Sequence, residues 1–406
     1  MMPGSHWILL ARIIATLFTL FTLLTLAALA YSFLVFRAAR AYSRSFRTAL
    51  PDFYPSVSIL KPVKGVDPEM YAAFASHCRQ EYPGEYEILF GVHSMEDTAV
   101  EAIEKLRREF PEQTIRILVC PQILGANGKV GNLVQIVAEA RYEYLLINDS
   151  DIRVSPHYLR NVMPAFAVAS KTGKPVGMVT ALYRGRSDER LGTLGSRLEA
   201  LGIATDFMPS VLTARWLEKG LRFGLGSTLA VTREALNAIG GLRPLVDYLA
   251  DDYELGARMF QAGYRVELAR EVVETSIPAY SFSEFFAHQL RWARTVRDSR
   301  PLGYFGLLLT FGLPWALGNV IASAASLDSI ALLSVMVCVR VAVALTVGVG
   351  LLGDVGTLRN LYLLPLRDML ALAVWFWSFA DDHVVWRGER FSLHDGKLVR
   401  EGASLS

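Results

Sequence analysis

The chain reads YLLINDSD at residues 144–151, which places two carboxylates directly after a short apolar segment. Other short apolar segments, which read as buried strands, lie upstream at 57–60, 87–92 and 115–119. Segments with helical spacing lie between them and before residue 144, at 68–79, 98–110 and 132–140. Strands that alternate with helices predict an α/β fold, with a mainly parallel sheet and helices on both faces.

The carboxyl ends of strands are where such sheets bind ligands, and Asp149 and Asp151 stand at such an end. The first strand is not followed by G-x-G-x-x-G, and the chain has no G-x-x-x-x-G-K-[ST]. A dinucleotide-binding fold and a P-loop are therefore both disfavoured.

The composition indicates a membrane protein. Of the 406 residues, 52% are hydrophobic and only 20% are charged. Residues 13–36 carry no charge, and a basic cluster of Arg37, Arg40, Arg44 and Arg47 follows them. This pattern predicts a transmembrane helix over residues 7–36 with the following chain on the cytoplasmic side. A cleaved signal peptide is the alternative, because residues 28–30 read Ala-Leu-Ala.

A second apolar block spans residues 304–380. It divides into three segments, Tyr304–Leu327, Ile330–Leu352 and Leu361–Phe379. Two or three of them are expected to cross the membrane, since Pro365, Arg367 and Asp368 interrupt the last one. The tail, residues 381–406, is basic, which favours a cytoplasmic position for it. One segment is then re-entrant or interfacial.

Residues 52–300 hold most of the charge and form the expected cytosolic domain. Within it, residues 191–221 mix apolar positions with Arg197, Arg215 and Lys219, which is typical of an interfacial segment or of a plain surface helix. The formal net charge of +2 gives no indication of nucleic-acid binding. The three cysteines are widely separated and suggest neither a disulfide framework nor a zinc site.

Several polar groups are candidates for chemistry. Asp149 and Asp151 have the spacing and ligand type for Mg²⁺ or Mn²⁺ bound to a diphosphate, or they belong to a solvated loop. Asp251 and Asp252 start an amphipathic helix, where they complement the helix dipole or accept a proton from a hydroxyl. Lys61 follows the first strand, and a lysine there contacts a nucleotide phosphate or is solvated.

Two further groups have both a structural and a functional interpretation. Asn127, Lys129 and Asn132 precede a helix, where they bind a donor or cap the helix. Residues 288–292 read HQLRW, followed by Arg294, Arg297 and Arg300. They form a juxtamembrane anchor, or they supply an arginine that binds phosphate and a tryptophan that packs on the acceptor.

The order of these features resembles the ceramide glucosyltransferase family of membrane GT-A glycosyltransferases. The resemblance covers residues 50–300 and is strongest at SILKPVKGVDP (58–68), NGKVGNL (127–133) and DSDIRV (149–154). The family signature is three aspartate motifs followed by (Q/R)xxRW. It implies a divalent cation, a UDP-sugar donor and a lipid acceptor.

The resemblance assigns roles to particular residues. Asp252 matches the catalytic base. Asp149 and Asp151 match the metal site, and Gly226 and Ser227 match a small-residue segment on the acceptor side. The matches on the donor side are Lys61, Lys129, Asp149, Arg291 and Trp292, of which Trp292 also faces the acceptor.

Two positions depart from the family signature. The first aspartate, which holds the uracil base, falls near Ser94. Either Glu96 or Asp97 substitutes for it, or the base is held without it. His288 stands in the first place of (Q/R)xxRW. The identity of the nucleotide depends on how these departures are accommodated.

The sequence thus predicts an inverting, multi-pass membrane glycosyltransferase with its catalytic domain in the cytoplasm. The membrane is the bacterial inner membrane, or the Golgi membrane in a eukaryote. UDP-glucose and the primary hydroxyl of ceramide are the expected substrates. The alternatives are a hopanoid N-acetylglucosaminyltransferase that uses UDP-N-acetylglucosamine, a polysaccharide synthase, and an inactive lipid-binding scaffold.

Overall fold

The computed structural model describes residues 4–67, 69–168, 173–187, 192–386 and 389–400. The chain falls into two compact units. The sheet unit comprises residues 44–192, 214–279 and 383–406, and the apolar unit comprises residues 1–43, 193–213 and 280–382.

The helices are distributed over both units. The α-helices are α1 Gly4–Ser45, α2 Met70–Cys78, α3 Ala99–Glu109, α4 Gly128–Glu139, α5 Tyr158–Val162, α6 Leu194–Gly202, α7 Met208–Leu217, α8 Arg233–Ala238, α9 Asp251–Gln261, α10 Phe282–Ser299, α11 Pro301–Gly306, α12 Gly312–Ala322, α13 Leu327–Val343, α14 Val355–Arg359 and α15 Leu364–Trp377. The π-helical segments are Ile203–Phe207 and Ala344–Leu351. The 3₁₀ segments are Met163–Ala167, Arg243–Leu245, Leu307–Thr310, Leu361–Leu363 and Ser378–Ala380.

A mixed sheet organises the sheet unit. Its strands are β1 Val57–Pro62, β2 Tyr86–Val92, β3 Thr114–Val119, β4 Tyr144–Ile147, β5 Ile152–Arg153, β6 Val176–Ser187, β7 Leu229–Thr232 and β8 Arg265–Ile277. Their order is β3-β2-β1-β4-β7-β6-β8-β5. The first four strands of this order run parallel, and β7 pairs antiparallel with both β4 and β6. The predicted α/β class is confirmed, with a mixed rather than uniformly parallel sheet.

The strands and helices predicted between residues 57 and 147 all occur, and most of their ends shift by only one or two residues. Pro68, the predicted start of the first helix, lies outside the described residues. α4 begins at Gly128 rather than at residue 132 because the side chain of Asn127 accepts a hydrogen bond from the Val130 amide, 3.1 Å away. Asn127 is therefore a helix cap, one of the two roles that the sequence left open.

The tail is not merely basic. Within the described residues it forms a second, three-stranded antiparallel sheet, of β9 His383–Trp386, β10 Glu389–His394 and β11 Lys397–Arg400. The buried side chains Val384, Phe391 and Leu398 form a small apolar core, against which Ala126 and Leu249 pack. Local sequence pattern did not predict this sheet because its strands are short and polar residues interrupt them.

The apolar unit contains the helices that can cross a membrane. Three are long and apolar enough by length and composition among the described residues: His6–Ser45, Leu327–Leu351 and Leu361–Ala380. The segment predicted as one span, Tyr304–Leu327, is instead broken, with a 53° bend between Pro301–Thr310 and Gly312–Ala322. Pro314 has no amide hydrogen to donate to the preceding turn, which favours a new helix at this point.

The charged residues that interrupt the last apolar segment are paired. Arg340 of α13 donates to the carboxylate of Asp368 of α15, with Nε 2.9 Å from Oδ2. Arg340 also bonds the Thr205 carbonyl at 2.8 Å, and Arg367 lies 3.3 Å from Asp206. Charged side chains in apolar helices persist when they are paired in this way. The interruptions at Arg367 and Asp368 are thus compatible with a buried helix.

Candidate active site

The site in the sheet unit is built around the carboxyl end of β4. The fully buried Asn148 holds the turn that follows this strand, because its side-chain amide donates to the Ser227 carbonyl at 2.7 Å and to the Tyr158 hydroxyl at 3.0 Å. Its backbone amide bonds the Leu60 carbonyl of the adjacent strand β1. Asp149 is therefore presented at the edge where β1 and β4 both end, as the sequence predicts.

Lys61 contacts the backbone of this turn. It lies in β1, is fully buried, and its ammonium donates to the Asp149 carbonyl at 3.2 Å. Burial lowers the pKa of Lys61 to about 7, although the charges of Asp149 and Asp151 oppose this shift. The buried position fits a lysine that shapes the turn, and its predicted contact with the donor stays a prediction.

Lys129 joins two carboxylates that are distant in sequence. Its ammonium lies 2.7 Å from Oδ1 of Asp149 and 3.3 Å from Oδ2 of Asp251. Burial alone would lower the pKa of Lys129, but these two charges outweigh it and raise the pKa. The sequence analysis grouped Asp251 with Asp252 at the start of a helix, and the structure adds that Asp251 shares Lys129 with Asp149.

Gly226 lies between the two principal carboxylates. Its amide donates to Oδ2 of Asp252 at 2.7 Å. A Cβ atom at this position would stand 3.1 Å from Oδ2 of Asp252 and 3.7 Å from Oδ2 of Asp149. The small residue thus keeps open the space that Asp149 and Asp252 face. Ser227 is buried, and its carbonyl supports Asn148.

Asp252 is fixed by backbone amides. Besides the bond from Gly226, its Oδ1 accepts from the Tyr253 amide at 2.8 Å. Burial, and secondly the charge of Asp251, raise the pKa of Asp252 to about 6. A carboxylate with a pKa near neutrality is suited to accept a proton from a hydroxyl.

A divalent cation is compatible with this set of oxygen donors. The Asp149 side chain is 37% exposed, and one of its oxygens is not engaged by Lys129. Mg²⁺ often takes only one or two carboxylates and completes its shell with substrate phosphates and water. Among the described residues, no three His, Cys, Asp or Glu side chains converge as a metal site, so the fit rests on Asp149.

Asp151 makes a different contact. Its Oδ2 accepts from the Thr275 hydroxyl at 2.5 Å, which ties the turn to β8. Burial, followed by the charge of Asp149, raises the pKa of Asp151 to about 6. The predicted role of Asp151 at the metal stays a prediction.

The loop after β1 meets the same turn. Asp67 accepts a short hydrogen bond from the Ser150 hydroxyl. Oδ1 of Asp97 accepts from the amides of Gly65 and Ala99, each at 2.9 Å, and so connects this loop to the start of α3. The predicted roles of Glu96 and Asp97 at the base are therefore untested, and Asp67 is a residue that sequence reasoning missed.

The C-terminal sheet holds the loop that leads into α9. The Leu398 amide donates to the Asp247 carbonyl at 2.7 Å, and the Leu249 amide donates to the Gly396 carbonyl at 3.0 Å. Asn127 bonds the Tyr248 carbonyl at 2.7 Å from the other side. Asp251 and Asp252 follow directly, so these contacts help to position both carboxylates.

Arg291 and Trp292 lie on α10 in the apolar unit. Burial lowers the pKa of Arg291, while the nearby Tyr280 and Glu199 oppose this shift. The ring of Trp292 packs against Phe207 and His288, with centroid distances of 6.0 and 5.2 Å. The roles predicted for Arg291 and Trp292 at the donor stay predictions.

Comparison with known proteins identifies the class. The profile of glycosyl transferase family 21 matches residues 20–399, and the chain therefore belongs to this family. The resemblance to the ceramide glucosyltransferases is confirmed. Ceramide glucosyltransferase 1 of Caenorhabditis elegans is 25% identical over 274 residues, which cover 65% of this chain and 57% of that protein.

Two further similarities complete the comparison. The ceramide glucosyltransferase of Komagataella phaffii is 33% identical over 123 residues, covering 29% of this chain and 24% of that protein. The mannosyltransferase PcManGT of Pyrobaculum calidifontis, solved with GDP-Man and Mn²⁺, is 18% identical with a TM-score of 0.48, covering 87% of this chain and 99% of that chain. The chain spans about half the length of the first two curated relatives it matches, 57% and 50%.

Proposed function

We propose that this protein is an inverting glycosyltransferase that moves glucose from UDP-glucose to the primary hydroxyl of ceramide. The observation that supports this most directly is the grouping of Asp149, Lys129, Asp251 and Asp252 around the open position of Gly226. Membership of family 21 and the names of the relatives support the choice of donor and acceptor.

Asp252 accepts the proton of the lipid hydroxyl as the hydroxyl oxygen attacks the anomeric carbon. The new carbon–oxygen bond forms while the bond to UDP breaks, and the electron pair of that bond leaves with the diphosphate. A single displacement of this kind inverts the anomeric configuration. The amides of Gly226 and Tyr253 hold the carboxylate in place but leave further lone-pair positions for the proton.

A divalent cation, Mg²⁺ or Mn²⁺, fits the donor side, with Asp149 as its protein ligand. When bound, such an ion supplies positive charge to the departing diphosphate. Lys129 keeps Asp149 in position, and the backbone contact from Lys61 fixes the turn that carries it. Arg291 and Trp292 are proposed to contribute charge and an acceptor surface.

We propose that the sheet unit faces the cytoplasm. The basic cluster from Arg37 to Arg47 follows the first apolar helix, and such clusters are retained inside. Residues 279 and 383 both belong to the sheet unit, so the chain between them must cross the membrane an even number of times. Leu327–Leu351 and Leu361–Ala380 supply two crossings, and the bent pair before them is re-entrant.

Cysteine labelling tests this topology. In a variant without native cysteines, Val355→Cys, which lies between the two spans and is 56% exposed, is expected to react with a membrane-impermeant maleimide in intact cells. The matched control Lys64→Cys, an exposed position in the sheet unit, is expected to react only after permeabilisation. Labelling of Val355→Cys only after permeabilisation would contradict two crossings.

The release of UDP by purified protein tests the activity. UDP-glucose, UDP-galactose and UDP-N-acetylglucosamine are each incubated with ceramide or with a hopanoid polyol. The proposal predicts acceptor-dependent release with UDP-glucose and ceramide, loss of release with EDTA, and its recovery with Mg²⁺ or Mn²⁺. Release only with UDP-N-acetylglucosamine and the hopanoid would keep the chemistry and change the substrates. Lipid binding by folded protein that never consumes a UDP-sugar would favour the scaffold.

A further inference from the structure

His288, the residue that departs from the family motif, has a specific partner in the apolar unit. Its Nδ1 lies 3.0 Å from Oε2 of Glu199, a residue of α6 that is only 5% exposed. A buried carboxylate fixes both the orientation and the tautomer of an imidazole that it contacts. The two residues are 89 positions apart, and the sequence alone could not connect them.

Aromatic rings surround the imidazole. Tyr280 stacks on His288 with a centroid distance of 5.5 Å, and Trp292 lies 5.2 Å away. Phe207 packs in turn against Trp292. The side chain of His288 retains 16% exposure, so these rings cover most of it but leave an accessible part.

The chemistry of the accessible nitrogen follows from this arrangement. With the proton of Nδ1 directed to Glu199, Nε2 keeps its lone pair and accepts a hydrogen bond. Within the described part of the chain, the hydrogen bond of this ring is made by Nδ1 and not by Nε2. A hydroxyl group can donate the hydrogen bond that Nε2 accepts.

The surroundings of His288 indicate which substrate carries this hydroxyl. Leu198 and Leu201 of α6 and Phe285 of α10 form one apolar cluster with Ala344, Leu363 and Leu364 of the apolar helices. The histidine thus belongs to the unit that holds the helices able to cross a membrane, and an apolar substrate dissolved in a bilayer would reach this unit first. We propose that Nε2 of His288 binds a hydroxyl of the lipid acceptor and that Glu199 is its positioning residue. This inference rests on the proposed function.

The test compares the KM for the lipid with the KM for the sugar donor. In His288→Gln, which restores a residue of the family motif, the glutamine NH2 can donate to Glu199, but the flexible side chain no longer holds an acceptor where Nε2 of the histidine stands. The KM for short-chain ceramide in mixed micelles is expected to rise about tenfold, the effect of one lost hydrogen bond. The KM for UDP-glucose is expected to stay unchanged.

Coupling between the two residues is the second readout. Glu199→Gln should raise the ceramide KM in the same direction, and the double variant should be no worse than His288→Gln, because the two residues act as one unit. Val296→Ala, an exposed position on the same helix, is the matched control and should match wild type. A rise in the KM for UDP-glucose instead of ceramide would assign the hydroxyl to the donor and overturn the proposal.

Direct binding distinguishes this inference from the proposed function. Retention of radiolabelled short-chain ceramide is measured in an Asp252→Asn background, where turnover is not needed. Weaker retention in the His288→Gln form supports the lipid site even if no sugar transfer is found. Equal retention, in variants with wild-type thermal unfolding, would overturn the lipid site while leaving the transfer activity intact.

Discussion

Replacing Asp252 with asparagine is expected to lower turnover by about 1000-fold or more, because the proposed base is removed. Binding of UDP-glucose should persist, since Asp149 and Lys129 are unchanged. Steady-state kinetics and equilibrium binding of UDP to the purified variant measure the two effects separately. The matched control is Glu254→Gln, a carboxylate in the same first turn of α9 that pairs with Arg258 at 2.8 Å. Wild-type turnover in Asp252→Asn would remove this residue as the base.

The pH dependence of turnover also tests Asp252 as the base, because a purely structural role of Asp252 would not change it. The raised pKa of Asp252, about 6, means that the carboxylate is ionised above this pH and protonated below it. A base acts in its ionised form, so activity should rise as the pH increases through about 6 and be lost on the acid side. In Asp251→Asn this limb should move to lower pH, because a like charge that raises the pKa is removed. An acid limb that does not move would contradict the assignment.

Removing the ammonium of Lys129 is expected to produce the second large effect. In Lys129→Met the carboxylates of Asp149 and Asp251 lose their shared cation. Removing one partner of a fully buried ion pair typically lowers the free energy of unfolding by about 3–5 kcal/mol. A loss of about 2–3 kcal/mol is expected here because the Asp149 side chain is more than one third exposed. Denaturant titration measures the free energy of unfolding. The KM for UDP-glucose should also rise, because Lys129 no longer holds the Asp149 side chain in position.

Two further variants isolate the charge. Lys64→Met removes an exposed lysine of the same unit and should leave the stability unchanged. The double variant Lys129→Met with Asp251→Asn should recover part of the lost stability, because one unpaired carboxylate is neutralised. If Lys129→Met unfolds with the same free energy as Lys64→Met, the proposed charge cluster does not stabilise the sheet unit.

Local pattern was enough to predict the sheet as far as β4. In that region each apolar run is a strand and each amphipathic run a helix, so position and type could be read from periodicity. The carboxylate turn after β4 was predicted for the same reason, because it directly follows an apolar strand. The antiparallel β7 between β4 and β6 carries no such local signal, since its place in the sheet depends on pairing across the fold.

The contacts that complete the site were out of reach of local reasoning. The Asp247 contact with Ala126 joins residues 121 positions apart, and Lys129 reaches Asp251 across a similar separation. Lys61 was expected near a phosphate or in solvent because lysine is rarely buried, yet it is fully buried beneath Asp149. His288 was recognised as a departure from the motif, but its partner Glu199 lies on another helix.

The formation of a sugar-labelled lipid tests the central claim most directly. Wild-type protein and Asp252→Asn are reconstituted in vesicles that contain ceramide, with UDP-[radiolabelled glucose] and Mg²⁺ or Mn²⁺, and label in the organic extract is measured. The account predicts labelled lipid of inverted anomeric configuration from the wild type and almost none from Asp252→Asn. Absence of labelled lipid from folded wild-type protein, or equal amounts from both proteins, would contradict it.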